Sequence, residues 1–224
     1  MEKEFNPVNK EKLLRLFRYL DDKSKISLLK IDPESIYYIT PRDHATQICH
    51  IIINHISKLG MNINNIIITD ATAGVGGDTI SFAFVAKYVN AIEINKIRVE
   101  YLKNNIEIYN LKNVNVIHND CLKALCNIEK HNVIYIDPPW GGKSYKRHKK
   151  LRLSIGDKSI EELCKYITDD TIMKCIPEII VFKLPKNYDI EYLYRYIKKN
   201  IINAKIYKHY LKKMYIIVIV IKKP

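Results

Sequence analysis

The chain has 224 residues, 47% of them hydrophobic, enough to build one large domain or one domain with an extension. Its net charge of +13 favours a polyanionic partner, nucleic acid first and an anionic membrane surface second. The longest apolar run, residues 215–221, is far shorter than the ~20 residues of a membrane-spanning helix, which argues against a transmembrane segment.

The cysteines and histidines show neither a disulfide pattern nor a metal-binding pattern. Five cysteines are scattered without a Cys-x-x-Cys pair. The spacing of His44, His50 and His55 does not bring three imidazoles to one helix face, so we expect no metal. Residues 1–4 lack the apolar core of a signal peptide. We therefore expect an intracellular, reducing location, nuclear or cytoplasmic, and a monomer, since no pattern indicates an obligate interface.

The first part of the chain is predicted to be helical. Residues 9–20 carry apolar side chains at helical spacing, and residues 1–39 are expected to form a small helical extension. A second helix is predicted to begin after Thr40, with Thr40 as N-cap, Pro41 at the first helical position and Asp43 in the first turn. Gly60 is expected to end that helix.

From residue 65 onward, predicted strands and helices alternate. The strands lie at residues 65–69, 88–92, 114–118, 132–136 and 178–183, and the helices at 78–87, 96–110, 157–167 and 189–200. Such alternation predicts a parallel sheet with helices on both faces. Two final strands, 205–211 and 215–221, have no helix between them and add one antiparallel strand. Residues 40–224 are therefore expected to form an α/β domain around a mostly parallel, seven-stranded sheet.

A glycine-rich loop, residues 70–77, directly follows the first of these strands. Glycines at such a turn let a ligand approach the backbone closely. Acidic residues also follow the second and third strands, where Glu93 is placed to bind ribose hydroxyls and Asp120 to reach an adenine edge. Taken alone, each of these features also fits a tight turn or a solvated strand end. Together they predict a nucleotide-like ligand at the carboxyl ends of the strands.

The spacing of the glycines narrows the ligand. Gly74, Gly76 and Gly77 lack the Gly-x-Gly-x-x-Gly pattern of dinucleotide sites, and no Walker-type Gly-Lys-Ser/Thr is present. The loop resembles the S-adenosylmethionine loop of class I methyltransferases. The expected cofactor-binding residues are Asp70, Ala71, Gly74, Gly76, Gly77, Thr79, Glu93, Asp120 and Asp137.

The most informative run is Ile-Asp-Pro-Pro-Trp-Gly-Gly at residues 136–142, directly after a buried strand. Asp137 and the carbonyl before Pro139 offer hydrogen-bond acceptors, which the prolines hold still. Trp140 offers a flat ring on which a base can stack, although an ordinary core position is the alternative. A rigid acceptor pair beside a stacking ring suits a nucleobase amino group. The chemistry usually done at that group is methyl transfer.

A basic segment follows this run. Six of the ten residues 143–152 are lysine or arginine. Such a run is either a solvated face or, beside a nucleotide site, a phosphate-binding segment.

The motifs in this order resemble those of the trimethylguanosine synthase family, which methylates guanine N2 of an m7G RNA cap. The similarity covers roughly residues 13–222. It rests on Asp70 with the loop Gly-Val-Gly-Gly, on Asn104-Asn105, on Pro-Pro-Trp-Gly-Gly with Tyr145, and on Leu-Pro-Lys-Asn at residues 184–187. Two residues differ from the family pattern: Asp137 stands where the family usually has Ser, and Lys186 stands where it has Arg.

The resemblance implies a Rossmann-like class I fold, S-adenosylmethionine as cofactor and capped RNA as partner. It implies a catalytic group of Asp137, Pro138 and Trp140, with Trp140 stacking on the m7G base. The implied substrate contacts are Trp140, Asn105, Tyr145, Lys143, Lys186, Lys212 and Lys213. Two other readings stay open. Asp137 also suits an adenine-N6 or ribosomal guanine-N2 methyltransferase, and the chain could be a cap- or RNA-binding module without catalysis.

Overall fold

The computed structural model describes residues 8–221, apart from the side chain of Lys143. The helices are α1 (Lys10–Leu16), α2 (Ser35–Tyr38), α3 (Arg42–Lys58), α4 (Gly77–Ala83), α5 (Lys96–Ile108), α6 (Cys121–Leu125), α7 (Ile160–Ile167) and α8 (Ile190–Asn200). The strands are β1 (Ile67–Asp70), β2 (Tyr88–Glu93), β3 (Val114–His118), β4 (Val133–Ile136), β5 (Ser154–Ile155), β6 (Lys158–Ser159), β7 (Ile179–Pro185), β8 (Lys205–Leu211) and β9 (Met214–Val220). Within the described residues, no helix is long and apolar enough to cross a bilayer.

Seven of the strands form one sheet in the order β3-β2-β1-β4-β7-β9-β8. The pairings β2–β3, β1–β4 and β4–β7 are parallel, whereas β9 runs antiparallel to β7 and β8. The predicted fold class, a mostly parallel seven-stranded sheet with one antiparallel strand, is confirmed. The short pair β5–β6 was not expected, because two residues are too few to show an alternating pattern.

The chain divides into two compact units. The N-terminal unit comprises Met1–Ile66 and Ala73–Asp120, and the C-terminal unit comprises Ile67–Thr72 and Cys121–Pro224. The glycine-rich loop thus contributes residues 70–72 to the C-terminal unit and residues 73–77 to the N-terminal unit. The expected boundary at residue 39, between a helical extension and a methyltransferase domain, stays a prediction.

In the N-terminal unit, the leading helical segment shares a core with the glycine-rich loop. Phe17 and Ile31 are buried in the same cluster as Val75 of the loop and Ile80 of α4. A buried amide adds a polar link, since Asn105 of α5 donates to the carbonyl oxygens of Lys30 (2.8 Å) and Val75 (2.9 Å). The Asn105 side-chain oxygen also accepts from the Lys30 amide at 2.8 Å. One side chain therefore ties the N-terminal segment to the loop.

The start of α3 differs from the prediction. Pro41, not Thr40, is the N-cap residue, and no side chain caps the helix. The Thr40 hydroxyl donates instead to Asp78 Oδ2 in the first turn of α4, at 2.6 Å. The predicted N-cap was wrong because this bond to a distant helix uses the hydroxyl that capping requires. Asp43 does lie in the first turn, as predicted.

In the C-terminal unit, the central strands are buried on both faces. Every residue of β4 and of β7 is buried, which agrees with their nearly continuous apolar sequence. Lys183 is the one charged residue in these two strands, and it is only 4% exposed. The outer strand β8 is mostly exposed or half-buried. A charged side chain inside a buried strand requires a specific partner.

Replacing Asn105 tests the link between the N-terminal segment and the glycine-rich loop. Asn105→Ala removes the partner of the Lys30 amide, the Lys30 carbonyl and the Val75 carbonyl, and the bond to Val75 is buried, where an unsatisfied group costs ~1–3 kcal/mol. We expect the free energy of unfolding to fall by about 3 kcal/mol in urea denaturation. The control is the half-buried neighbour Asn104→Ala, which removes a bond to the Leu28 carbonyl and a 3.2 Å bond to Asn105 Oδ1 but leaves the bonds from Asn105 to the backbone in place. Equal losses in the two variants would contradict the role given to Asn105.

Candidate active site

The three glycines of the loop are required for different reasons. At Gly76, which has φ +101°, a Cβ atom would lie 2.8 Å from Leu102 Cδ1. At Gly77, a Cβ atom would lie 2.5 Å from Ile39 Cγ1. At Gly74, which has φ +53°, a Cβ atom would meet no atom within 4 Å. Packing within the protein therefore explains Gly76 and Gly77, whereas the open face at Gly74 leaves room for a ligand.

Glu93 lies at the end of β2 and is held firmly in place. Its Oε2 accepts from the Gly74 amide and its Oε1 from the Asn95 amide, both at 2.8 Å. An ionised carboxylate has about four acceptor positions, so each oxygen retains capacity for another donor. Glu93 and the open face at Gly74 therefore form one part of a site that can accept hydrogen bonds from sugar hydroxyls.

The other expected cofactor residues are half-buried or buried. Asp120, two residues beyond β3, is half-buried, and Thr79 is fully buried within α4. In the C-terminal unit, Asp70 is 1% exposed and its Oδ1 accepts from the Thr72 amide at 3.3 Å. The Ala71 amide already donates to the Tyr135 carbonyl at 2.9 Å. Thr79 and Ala71 are thus parts of the protein interior.

The Pro-Pro-Trp run is joined to the start of the glycine-rich loop. The Asp137 amide donates to Thr72 Oγ1 at 2.8 Å, within the C-terminal unit. Pro138 is buried and Pro139 is exposed. This bond fixes the backbone of the motif against the residues that follow β1.

Asp137 forms a buried ion pair that the sequence pattern did not predict. Lys183 Nζ donates to Asp137 Oδ2 at 2.5 Å, and the two side chains are 5% and 19% exposed. The same ammonium lies 5.7 Å from the centre of the Trp140 ring. The sequence contains one sign of this ion pair. Lys183 is a single charged residue within the apolar sequence of β7, and buried lysines are nearly always paired. The sequence alone does not identify the partner, 46 residues away.

Trp140 is half-buried and braced by Tyr145. The two rings meet edge to face, with centres 5.3 Å apart and planes at 72°. The indole Nε1 is buried and has no hydrogen-bond acceptor among the described residues. The ring is therefore fixed by packing and by the neighbouring cation.

Asn187 holds the loop that carries Tyr145. Its side-chain amide donates to the carbonyl oxygens of Tyr145 and His148, each at 2.7 Å. The Leu151 amide in turn donates to the Asn187 carbonyl at 2.8 Å. The family resemblance includes Asn187 in the motif Leu-Pro-Lys-Asn but implies no role for it. In the structure, it positions the segment that supports Trp140.

The basic segment is anchored at its far end by a buried carboxylate. Arg152 pairs with Glu161 at 3.2 Å, and Tyr188 donates to the same carboxylate at 2.8 Å. Burial and the neighbouring Glu161 raise the pKa of the Tyr188 hydroxyl well above its usual range. Arg152 is thus engaged within the protein, whereas Lys146, Arg147 and Lys149 are exposed. The side chain of Lys143 lies outside the described part of the chain.

The remaining expected substrate residues divide between the units. In the C-terminal unit, Lys186, Lys212 and Lys213 are exposed, and Lys186 Nζ lies 4.3 Å from the centre of the Tyr210 ring. Asn105 belongs to the N-terminal unit, is fully buried and has its amide bonded to protein groups. The structure therefore gives Asn105 a scaffolding position rather than a place at the substrate. The C-terminal unit also holds Asp137, Pro138, Trp140 and Tyr145, the residues expected at the methyl acceptor.

A family model described as RNA cap guanine-N2 methyltransferase matches residues 65–220. This match spans the glycine-rich loop and the Pro-Pro-Trp run. The chain belongs to the RNA cap guanine-N2 methyltransferase family. The methyl donor of this family is S-adenosylmethionine.

Similar proteins agree with this family. An uncharacterized protein of Acanthamoeba polyphaga mimivirus is 36% identical over 216 residues, covering 88% of this chain and 80% of that protein. The trimethylguanosine synthase of Schizosaccharomyces pombe is 30% identical over 175 residues, covering 74% of this chain and 66% of that enzyme. Among solved structures, a precorrin-6y C5,15-methyltransferase of Geobacter metallireducens has a TM-score of 0.54 at 14% identity, covering 87% and 91% of the two chains. That likeness supports the Rossmann-like methyltransferase fold alone.

The residues fit this cofactor. The open face at Gly74 and the fixed carboxylate of Glu93 suit the ribose of S-adenosylmethionine, whose hydroxyls are donors. When bound, the cofactor supplies an electrophilic methyl group. The residues that would hold the ribose are Gly74 and Glu93, and the Gly74 and Asn95 amides orient the Glu93 carboxylate.

Substituting two glycines separately tests which one makes room for the cofactor. Gly74→Ala should cost only about 1 kcal/mol of stability, from its positive φ, but weaken S-adenosylhomocysteine binding about tenfold or more. Gly77→Ala should instead cost about 1–3 kcal/mol of stability through its clash with Ile39. Calorimetric titration and urea denaturation measure the two effects.

The double variant Gly77→Ala/Ile39→Ala serves as the control, because removing the Ile39 side chain makes space for the new methyl group. Tight cofactor binding by Gly74→Ala would contradict the assignment of Gly74.

Proposed function

We propose that this protein transfers a methyl group from S-adenosylmethionine to the exocyclic N2 of the m7G cap of RNA, giving m2,7G or m2,2,7G. The observation that carries the proposal is the arrangement around Trp140. A braced aromatic ring lies beside a rigid, paired carboxylate within the Asp-Pro-Pro-Trp run. The family supports the reaction class, and these residues support the m7G base as the acceptor.

The charge around Trp140 suits a cationic base. An N7-methylated guanine carries a positive charge, and a tryptophan face attracts a cation by ~0.5–2 kcal/mol beyond simple stacking. Lys183, whose ammonium is 5.7 Å from the ring centre, would repel that base if its charge were unopposed. Asp137 opposes it at 2.5 Å. The ion pair therefore lets the ring accept a cation while Lys183 stays charged.

Asp137 orients the amine in this mechanism. The guanine N2 lone pair is delocalised into the ring, so a hydrogen bond from the amino group to a fixed acceptor helps to localise it. Asp137 Oδ2 accepts from Lys183 Nζ, and the carboxylate and the Asp137 backbone carbonyl are the proposed acceptors for the amino group. The related family usually has Ser at this position, and a serine hydroxyl is not a carboxylate base. Positioning and electrostatics supply the acceleration, and the N2 proton leaves to solvent.

Exposed lysines complete the proposed substrate site. Lys186 follows β7 directly, and Lys212 and Lys213 lie in the turn between β8 and β9. With Lys143, they are proposed to contact the triphosphate bridge of the cap. Ammonium groups attract phosphate as point charges, without the bidentate geometry of the arginine usual in the family.

One observation favours a second candidate. Asp137 gives the form Asp-Pro-Pro-aromatic, which suits adenine-N6 or ribosomal guanine-N2 methyltransferases. The acceptor is then an uncharged base, and the cation–π increment at Trp140 is not needed. A cap-binding module without catalysis is the third candidate, and the Gly74–Glu93 pair argues against it.

Tritium transfer from labelled S-adenosylmethionine to m7GTP, GpppG, ribosomal RNA and adenine-containing DNA tests these candidates. We expect strong labelling of m7GTP and almost none of GpppG. Trp140→Ala should lower the labelling of m7GTP at least about tenfold, because the stacking ring and its cation–π attraction are lost. Trp140→Phe, which keeps a ring, is the matched control.

Labelling of ribosomal RNA or DNA without labelling of m7GTP would select the second candidate. No labelling together with no calorimetric cofactor binding would leave only the inert module.

Variants of the ion pair test whether Asp137 orients the amine or removes its proton. Asp137→Asn alone removes the carboxylate that opposes a buried ammonium, which should cost ~3 kcal/mol of stability and abolish m7GTP labelling. Asp137→Asn/Lys183→Met removes both charges, so stability should recover, and the asparagine carbonyl can still accept a hydrogen bond. We expect at least about a tenth of wild-type kcat in the double variant.

Thermal unfolding and methyl-transfer rates are measured on the same samples. A stable double variant with no activity would show that the carboxylate itself takes the proton.

A further inference from the structure

A row of cations and aromatic rings crosses the outer strands of the C-terminal unit. Tyr210 of β8 faces Tyr215 of β9, with ring centres 5.9 Å apart. Lys186 Nζ lies 4.3 Å from the centre of the Tyr210 ring, and Lys208 Nζ lies 5.3 Å from the centre of the Tyr215 ring. The side chains along this row are therefore Lys186, Tyr210, Tyr215 and Lys208, in that order. Tyr210 is 59% exposed, so its ring is available to a partner.

The row continues into a groove beside α8. Lys208 also lines a cavity of about 470 Å³, together with Ile206, Ile217, Arg195 and Tyr194. Lys198 Nζ lies 4.7 Å from the centre of the Tyr194 ring, which repeats the pairing of a cation with a tyrosine. One carboxylate lines the groove, Glu191, and Lys150 lies 3.8 Å from it. Cations therefore dominate this surface.

We infer that this surface, here called the tyrosine platform (Lys186, Lys208, Tyr210, Tyr215 and the groove lined by Arg195), binds single-stranded RNA downstream of the cap. The inference rests on the proposed function, because Lys186 is also the proposed contact of the cap phosphates. The tyrosine rings stack on bases, and the lysine and arginine side chains contact the phosphates between them.

The chemistry of the platform fits this ligand. Rings interleaved with cations form the usual surface for single-stranded nucleic acid, because every base has a face to stack and every linkage has a charge. A duplex keeps its bases stacked on one another and offers none to Tyr210. Lysines on an outer strand also discourage pairing with another sheet, but that function does not require tyrosine rings under the ammonium groups.

Fluorescence anisotropy with an uncapped, labelled ten-nucleotide single-stranded RNA of mixed sequence tests the platform. Tyr210→Ala should weaken binding about tenfold or more without changing the salt slope, since it removes stacking but no charge. Lys208→Ala should reduce the slope of log K against log salt by about 0.7, the value for one contact with a single strand. Tyr210→Phe, which keeps the ring, should bind as wild type.

The matched control lies in the N-terminal unit. Tyr37 is 79% exposed and has Lys12 Nζ at 5.9 Å from its ring centre, yet it belongs to no such row. Tyr37→Ala should leave RNA binding unchanged. Binding by Tyr210→Ala that equals wild type, an equal loss in Tyr37→Ala, or a duplex that binds as tightly as the single strand would overturn the inference.

A second measurement separates this inference from the proposed function. Tyr210→Ala should raise the KM for a capped ten-nucleotide RNA about tenfold more than it raises the KM for the dinucleotide m7GpppG. Uncapped RNA binding needs no methyl transfer, so failure of the cap reaction leaves the anisotropy result intact. An unchanged KM for the capped RNA would overturn the platform even if the cap is methylated.

Discussion

Lys183 places an ammonium group inside a strand whose residues are all buried, and the Asp137 carboxylate is its ion-pair partner. Removing a charge from water costs several kcal/mol, so a buried lysine is stable only when a nearby anion and good geometry compensate for that cost. Because the partner carboxylate belongs to the Asp-Pro-Pro-Trp run, the packing of β7 also fixes the orientation of Asp137. The proposed acceptor chemistry therefore depends on this contact.

Three further side chains position segments that carry expected site residues, one in the N-terminal unit and two in the C-terminal unit. Asn105 ties the glycine-rich loop to the N-terminal segment, and Asn187 holds the loop that carries Tyr145. Glu161 is fully buried and anchors the end of the basic segment through Arg152. Asn105 and Glu161 are buried and Asn187 is half-buried, and each satisfies backbone carbonyls or a cation that water would otherwise hydrate. The residues proposed to touch the ligand are therefore positioned by residues that do not.

Hydrophobic periodicity accounts for most of the fold. The predicted bounds of β3 are those observed, and the predicted start of α7 lies three residues before the observed one, because a buried face repeats at a fixed interval along the chain. Polar contacts between residues far apart in sequence cannot be predicted from this periodicity. Thr40 bonds to Asp78, and Lys183 bonds to Asp137, 38 and 46 residues away in sequence. The resemblance marked Asn105 as part of a motif, but only the structure showed that its amide faces the protein.

The most direct test of the account uses the chain's single tryptophan, Trp140, as its own reporter. Titration with m7GTP and with GTP, followed by intrinsic tryptophan fluorescence, measures stacking on that ring without any label. We expect saturable quenching by m7GTP and a dissociation constant about two- to thirtyfold higher for GTP, the range set by the cation–π increment. Equal affinity for the two nucleotides, or no quenching by either, would contradict the proposed acceptor site.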